Sequence, residues 1–142
     1  MSEQYPPPPP PEGTPGPGGQ APARSPMVTA AAVLLIVAGA LGVLGGLLLL
    51  AGAGVAAGAG VGGLFLVIAI LILGVGAVEI YAGIQVLGLH ERGRMIGIVV
   101  AAVGAFFNLI SIGRAPGTSV IGILIDAFII YALVTNAKEF HA

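Results

Sequence analysis

Three polar side chains, Glu79, Asn108 and Asp126, are the strongest candidates for chemistry in this sequence, because each lies inside a long apolar stretch. An acid in hydrocarbon costs about 2.5–3.5 kcal/mol on insertion scales, and such residues commonly serve a function. No Lys or Arg lies within the apolar stretches to neutralise either acid, and desolvation favours the uncharged form. The three side chains therefore predict either a path for protons or cations, or hydrogen bonds that hold helices together.

The hydrogen-bonding interpretation names specific partners. Asp126 would bond to Asn108 across a helical hairpin, and Glu79 would bond to Tyr81, Gln85 or a neighbouring helix. A transport path, by contrast, needs polar residues along one continuous wall, whereas most positions here are Ala, Gly, Val, Ile or Leu. Both interpretations stay open at the level of sequence.

The elements that must position these residues are membrane helices. Of the 142 residues 57% are hydrophobic and 8% charged, whereas a soluble fold carries roughly 25% charged residues. The uncharged run from Met27 to Val78 is too long for one crossing of a hydrocarbon core about 30 Å thick, so the chain must turn within it, and the Gly-dense segment 51–61 is the predicted turn. The sequence predicts an all-α fold, a four-helix transmembrane bundle with spans near residues 28–50, 62–87, 95–113 and 119–136.

The segment before the first span differs in composition from the rest. Residues 1–26 contain six consecutive prolines, Pro6 to Pro11, among Gly, Ser and Gln. Because the segment has few apolar side chains to offset the entropy of ordering, we predict a disordered tail with polyproline II character. Such a proline run either docks into an aromatic groove of a cytoplasmic protein or serves as a spacer.

The positions of Lys and Arg predict the orientation. With the tail inside the cell, four of the five basic residues lie inside and only Arg114 lies outside; the inner four are Arg24, Arg92, Arg94 and Lys138. We therefore expect a multi-pass plasma-membrane protein whose tail and C-terminal residues 137–142 are both cytoplasmic. Arg92 and Arg94 would set this topology and also meet anionic lipid headgroups, at about 1 kcal/mol each.

Small residues recur at helical spacing on two of the spans. Such stripes allow helix backbones to approach closely where lipid removes the hydrophobic drive between helices. They are Ala38, Gly42 and Gly46 on the first span, and Gly93, Gly97, Ala101 and Ala105 on the third. The stripes predict either packing within one bundle or a face for homo-oligomers.

Several functions receive no support from the composition. Five Lys and Arg in a chain of net charge −1 argue against nucleic-acid binding. The chain has no cysteine, and the two histidines, His90 and His141, make a poor metal signal. No Ser or Thr has a His or acid predicted on the same face to activate it. We therefore expect no enzyme activity, no metal and no cofactor.

The second half of the chain resembles a known family. The features are Tyr81-Ala-Gly-Ile-Gln-Val-Leu, Arg92-Gly-Arg94 opening a span, Asn108 near the outer end of that span, Pro116 in the turn, and Asp126 followed by Tyr131-Ala-Leu. This pattern is similar to that of a family of small four-span integral membrane proteins of unknown function, found mainly in actinobacteria. The resemblance implies a fold and a compartment, but no activity.

Two hypotheses for function follow. The first is a non-enzymatic membrane protein that acts by helix packing and by association of its tail with a partner. The second is a small transporter or a proton- or ion-conducting protein in which Glu79 and Asp126 carry the ion.

Overall fold

The computed structural model describes residues 24–58 and 60–141, which form four α-helices and one short 3-10 turn. The helices are α1 (Pro26–Ala57), α2 (Gly62–Leu87), α3 (Glu91–Ser111) and α4 (Pro116–Thr135), and the 3-10 turn is Ala137–Glu139. The described residues form no β-strand, so the prediction of an all-α, four-helix bundle is confirmed. Most of the predicted tail, including Pro6 to Pro11, lies outside the described residues.

Each of the four helices is long and apolar enough to cross a membrane. The shortest candidate span, Pro116–Thr135, has 20 residues and a mean hydropathy of 2.1. At 1.5 Å per residue it covers about 30 Å, the thickness of a hydrocarbon core. Four such helices make this a multi-pass membrane protein.

Three helix boundaries differ by three residues or more from the ranges expected from the sequence. One is the start of α4, which lies at Pro116 instead of near residue 119, because proline suits the first turn of a helix; Pro116 therefore opens α4 and does not lie in the preceding turn. The first helix continues to Ala57 rather than ending near residue 50. Its last turns pack against the start of α2, where Gly62 lies beside the backbone of Ala57. The chain reverses at Gly60, whose φ of +77° is readily adopted only by glycine. The third helix begins at Glu91 instead of near residue 95.

The α1–α2 hairpin is held by small residues that repeat every seven positions on both helices. On α1 they are Ala32, Gly39, Gly46 and Ala53, and on α2 they are Gly62, Ala69, Gly76 and Gly83. The antiparallel register places Gly39 against Gly76, and Gly83 against Ala32: a Cβ atom on Gly39 would lie 2.5 Å from the Gly76 carbonyl oxygen. A seven-residue period is that of helices that wrap around each other, and glycine allows the close approach. We call these eight residues the α1–α2 zipper.

The main cluster of buried apolar side chains occupies one half of the bundle. We call this half the basic end, since Arg24, Arg92, Arg94 and Lys138 all lie there. The core residues come from the start of α1, the end of α2, the first half of α3 and the end of α4; among them are Val28, Ala31, Leu35, Ala82, Val86, Ala101, Ile129, Ala132 and Leu133. Thus the two hairpins, α1–α2 and α3–α4, pack together most tightly at the basic end.

The residues after α4 fold back over the basic end. His141 donates its backbone N–H to the Leu89 carbonyl (3.0 Å), and the Glu91 N–H is donated to the His141 carbonyl (2.9 Å). The Ser25 N–H is donated to the Glu139 carboxylate (3.0 Å), and the Phe140 side chain is buried. This segment therefore ties the start of α1, the α2–α3 turn and the end of α4 together.

Candidate functional site

A half-open cavity of about 870 Å³ lies between the two hairpins, in the middle of the bundle and toward the end away from the basic end. Several side chains of its wall, such as Leu71 and Phe107, are exposed at the surface of the described bundle. All four helices contribute to its wall. The lining residues are Ala38, Gly42, Ile68, Leu71, Ile72, Val75, Gly76, Glu79, Gly104, Phe107, Asn108, Gly122, Ile125 and Asp126. The three polar residues singled out from the sequence are thus brought together in one cavity with an otherwise apolar wall.

The side chains of Asn108 and Asp126 each pack against a glycine of the facing helix. The Asp126 carboxylate lies over Gly104, where an added Cβ atom would come within 3.0 Å of Oδ2. In the same antiparallel register, the Asn108 amide lies over Gly122, where an added Cβ atom would come within 2.5 Å of Nδ2. The two side chains meet, and Asn108 Nδ2 donates a hydrogen bond to Asp126 Oδ2 (3.1 Å). This is the α3–α4 hydrogen bond expected from the sequence.

Glu79 approaches the cavity from α2 and differs from Asp126 in its hydrogen bonding. Its side chain is half-buried, and no hydrogen bond joins it to another of the described residues. The two partners expected on its own helix bond to each other instead, because Gln85 Nε2 donates to the Tyr81 hydroxyl (2.9 Å). Among the described residues, the Glu79 carboxyl therefore has no hydrogen-bond partner, although it lines the cavity.

Positive charge is confined to the ends of the described helices. Arg94 pairs with Glu91 one turn earlier, and Arg94 Nε donates to Glu91 Oε2 (2.8 Å). Arg92 is exposed beside this pair, and Arg114 lies in the turn at the other end. No described Lys or Arg lines the cavity, so the protein itself supplies no counter-charge to Glu79 and Asp126 there.

The predicted small-residue stripes lie in three different environments. Ala38 and Gly42 line the cavity, whereas Gly46 faces the side chain of Leu73 in the α1–α2 hairpin. On α3, Gly97 lies where Leu133 and Leu35 converge and Gly93 lies against Gln85. Ala101 is buried and Ala105 is half-buried.

Five glycines that allow close contacts between helices were not predicted from the sequence: Gly39, Gly76, Gly83, Gly104 and Gly122. The first three belong to the α1–α2 zipper, and the seven-residue spacing on both helices was a signal that could have found them. Gly104 and Gly122 had no such signal, because their role depends on which polar side chain faces them across α3 and α4.

The two histidines meet only through the main chain. The segments that contain them pair side by side as an isolated parallel β-bridge between His90 and His141. Among the described residues, no group of three His, Cys, Asp or Glu side chains is placed to hold a metal ion.

The fold and the cavity define a small multi-pass membrane protein with polar side chains gathered at membrane depth. Residues 27–138 match the model of a domain of unknown function, DUF7144, and the chain belongs to that family. This supports the expected family of uncharacterised four-helix membrane proteins; the actinobacterial distribution stays a prediction. No curated protein and no solved structure matches the chain.

Proposed function

We propose that this protein is a small, non-enzymatic transporter of the plasma membrane in which Glu79 and Asp126 carry a proton or another cation. The described chain begins and ends at the basic end, at Arg24 and His141, and both termini would face the cytoplasm. The observation that supports this proposal best is the meeting of Glu79, Asn108 and Asp126 in one cavity that holds no basic residue among those described.

The lack of a hydrogen bond to Glu79 within the described residues supports transport over a purely structural role. Polar side chains that only hold membrane helices together are expected to be hydrogen-bonded to each other, as Asn108 and Asp126 are. Glu79 lies at similar depth but has no such bond within the described residues, so packing alone gives no reason for an acid at this position. An intramembrane acid that lines a cavity is characteristic of an ion or proton pathway.

The division into two hairpins gives a means of moving the ion. The α1–α2 zipper makes one hairpin a close-packed unit, and the cavity separates it from α3–α4 in the half away from the basic end. The basic end is closed by apolar side chains such as Leu35, Val86 and Leu133. A pivot of one hairpin against the other would close the cavity on one side and open it on the other, which is how alternating access operates.

The test is proton flux in liposomes that contain the full chain. An imposed potassium gradient with valinomycin drives proton entry, which a trapped pH dye reports. We expect Glu79→Gln and Asp126→Asn each to reduce the flux at least tenfold, because neither amide can take up a proton, while both keep the size of the acid.

The matched control is Glu91→Gln, which also replaces a carboxylate by an amide but lies at the basic end, outside the cavity. It should conduct like the unmodified chain. Flux that is the same in all four proteins, or no greater than in empty liposomes, would contradict the proposal for protons.

Association of the tail with a cytoplasmic partner is a second candidate. It is supported by the exposed Arg24, where the tail joins the bundle, at the end where Arg92 and Lys138 are exposed as well. Crosslinking in native membranes with the full chain and with a chain lacking residues 1–23 tests it. The shorter chain keeps the Ser25–Glu139 contact, so loss of a specific partner would be due to the tail and not to a damaged bundle.

A further inference from the structure

We propose that the cavity binds lipophilic cations, meaning molecules with one positive charge and an apolar body, with the charge placed between Glu79 and Asp126. This inference rests on the proposed function and names the class of cation that the site accepts. It follows from the size of the cavity, the distribution of polar groups in its wall and the charge it lacks.

The size and apolar wall of the cavity suit an organic molecule. Pockets for small molecules usually have volumes of about 300–1,000 Å³ and mostly apolar walls, and this cavity has about 870 Å³. From α2 the wall is formed by Ile68, Leu71, Ile72 and Val75. A bare inorganic cation would leave most of this wall without a partner.

The polar groups lie together rather than being spread over the wall. Glu79 and Asp126 belong to the lining residues of α2 and α4 that are nearest the basic end, and Ile68 lies at the far end of the lining on α2. A ligand whose charged group is at one end and whose body is apolar would match this separation. The three polar side chains also carry only five oxygens between them, fewer than the six to eight oxygen ligands that Ca²⁺ takes.

The charges in the cavity wall indicate that the ligand carries a positive charge. The lining has two acids and no described basic residue, so a ligand cation would supply the counter-charge that the protein does not. In a region of low dielectric constant such a pair interacts much more strongly than in water. A neutral lipid chain would fit the apolar wall equally well, but it would bring no positive charge to either acid.

Phe107 offers a further contact for a cation. It lines the cavity one residue before Asn108, and its ring stands edge to face with that of Phe106 at a centroid distance of 5.9 Å. The face of an aromatic ring attracts a cation within about 6 Å. A ligand whose charge lies over the face of the Phe107 ring would gain this attraction, and an anion would not.

The experiment compares two probes of nearly equal size and opposite charge, tetraphenylphosphonium and tetraphenylborate. Binding of each is measured by equilibrium dialysis against the full chain in nanodiscs of phosphatidylcholine, with partition into empty nanodiscs subtracted. We expect saturable binding of tetraphenylphosphonium and none of tetraphenylborate. Glu79→Gln should weaken phosphonium binding about tenfold or more, and Glu91→Gln should leave it unchanged.

Glu79→Gln is the decisive variant because Glu79 has no hydrogen bond within the described residues to lose, so the variant should fold. Asp126→Asn, which keeps a polar partner for Asn108, should weaken binding in the same direction. Equal binding of the two probes, or phosphonium binding that Glu79→Gln leaves intact, would overturn the inference.

The two proposals fail separately. Proton flux that depends on both acids, without saturable phosphonium binding, would support the transporter and refute binding of lipophilic cations. Saturable phosphonium binding that depends on Glu79, without acid-dependent flux, would identify a binding protein and refute transport of protons.

Discussion

At the scale of single residues, glycines determine where the polar side chains lie. Asp126 fits because Gly104 faces it, and Asn108 fits because Gly122 faces it, so the amide and the acid can meet between α3 and α4. A larger residue at either glycine would push the facing polar side chain away. The hydrogen bond is thus a consequence of two small residues as much as of two polar ones.

This arrangement predicts energetic coupling between Asn108 and Asp126. In a double-mutant cycle with Asn108→Ala and Asp126→Ala, we expect a coupling energy of about 0.6 to 1.7 kcal/mol, the range from the average to the maximum for hydrogen bonds between membrane helices. Unfolding by SDS in mixed micelles, followed by circular dichroism, measures it. Asp126→Ala combined with Gln85→Ala should be additive, because Gln85 bonds to Tyr81. Additive effects of Asn108→Ala and Asp126→Ala would mean that the hydrogen bond adds nothing.

At the scale of helices, the α1–α2 zipper makes this hairpin the most closely packed pair of helices in the described bundle. At Gly76 an added Cβ atom would lie 2.7 Å from the Gly39 carbonyl oxygen and 2.9 Å from the Val43 nitrogen. These are backbone atoms, which cannot rotate away as a side chain can. The helices would have to separate to admit even one methyl group.

Gly76→Ala should therefore destabilise the hairpin by about 1–3 kcal/mol, the usual cost of overpacking. Gly74→Ala is the matched control on the same helix, since nothing lies within 4 Å of a Cβ atom added there. It should be neutral or slightly stabilising, because alanine is the better helix former. SDS unfolding of both variants tests this, and equal stability of the two would refute the zipper.

At the scale of the whole molecule, the described bundle is closed at one end and hollow toward the other. The core and the segment Asn136–His141 close the basic end, whereas the cavity lies between the hairpins farther along. If the basic end is cytoplasmic, as the positions of Lys and Arg indicate, the cavity is directed away from the cytoplasm.

This orientation can be measured with single cysteines, because the chain has none of its own. We expect a membrane-impermeant maleimide added to intact cells to label Gly113→Cys and to leave His90→Cys unlabelled until the membrane is opened. Both positions are exposed, and an added Cβ atom at Gly113 meets nothing within 4 Å. Labelling of His90→Cys alone would reverse the assignment.

Much of the architecture was determined by the sequence alone. Long apolar stretches, interrupted by charge at Arg92 and Arg94 and by Arg114 and Pro116, indicate four membrane helices. The same contrast between apolar and polar residues identified Glu79, Asn108 and Asp126 as candidates for a functional site. These conclusions need only composition and spacing, since a membrane selects helices by length and hydropathy.

The tertiary structure decided which residues face each other. Helical spacing predicted a stripe of Ala38, Gly42 and Gly46. Of these, Gly46 packs closely against α2, whereas Ala38 and Gly42 line the cavity. The closest contact between the two backbones is made by Gly39 and Gly76, which the predicted stripe did not include. In a helix that is apolar on all sides, no polar face marks the packed side, so spacing alone allows several stripes. Likewise, the sequence predicted the Asn108–Asp126 hydrogen bond, but only the structure showed that Tyr81 and Gln85 bond to each other and not to Glu79.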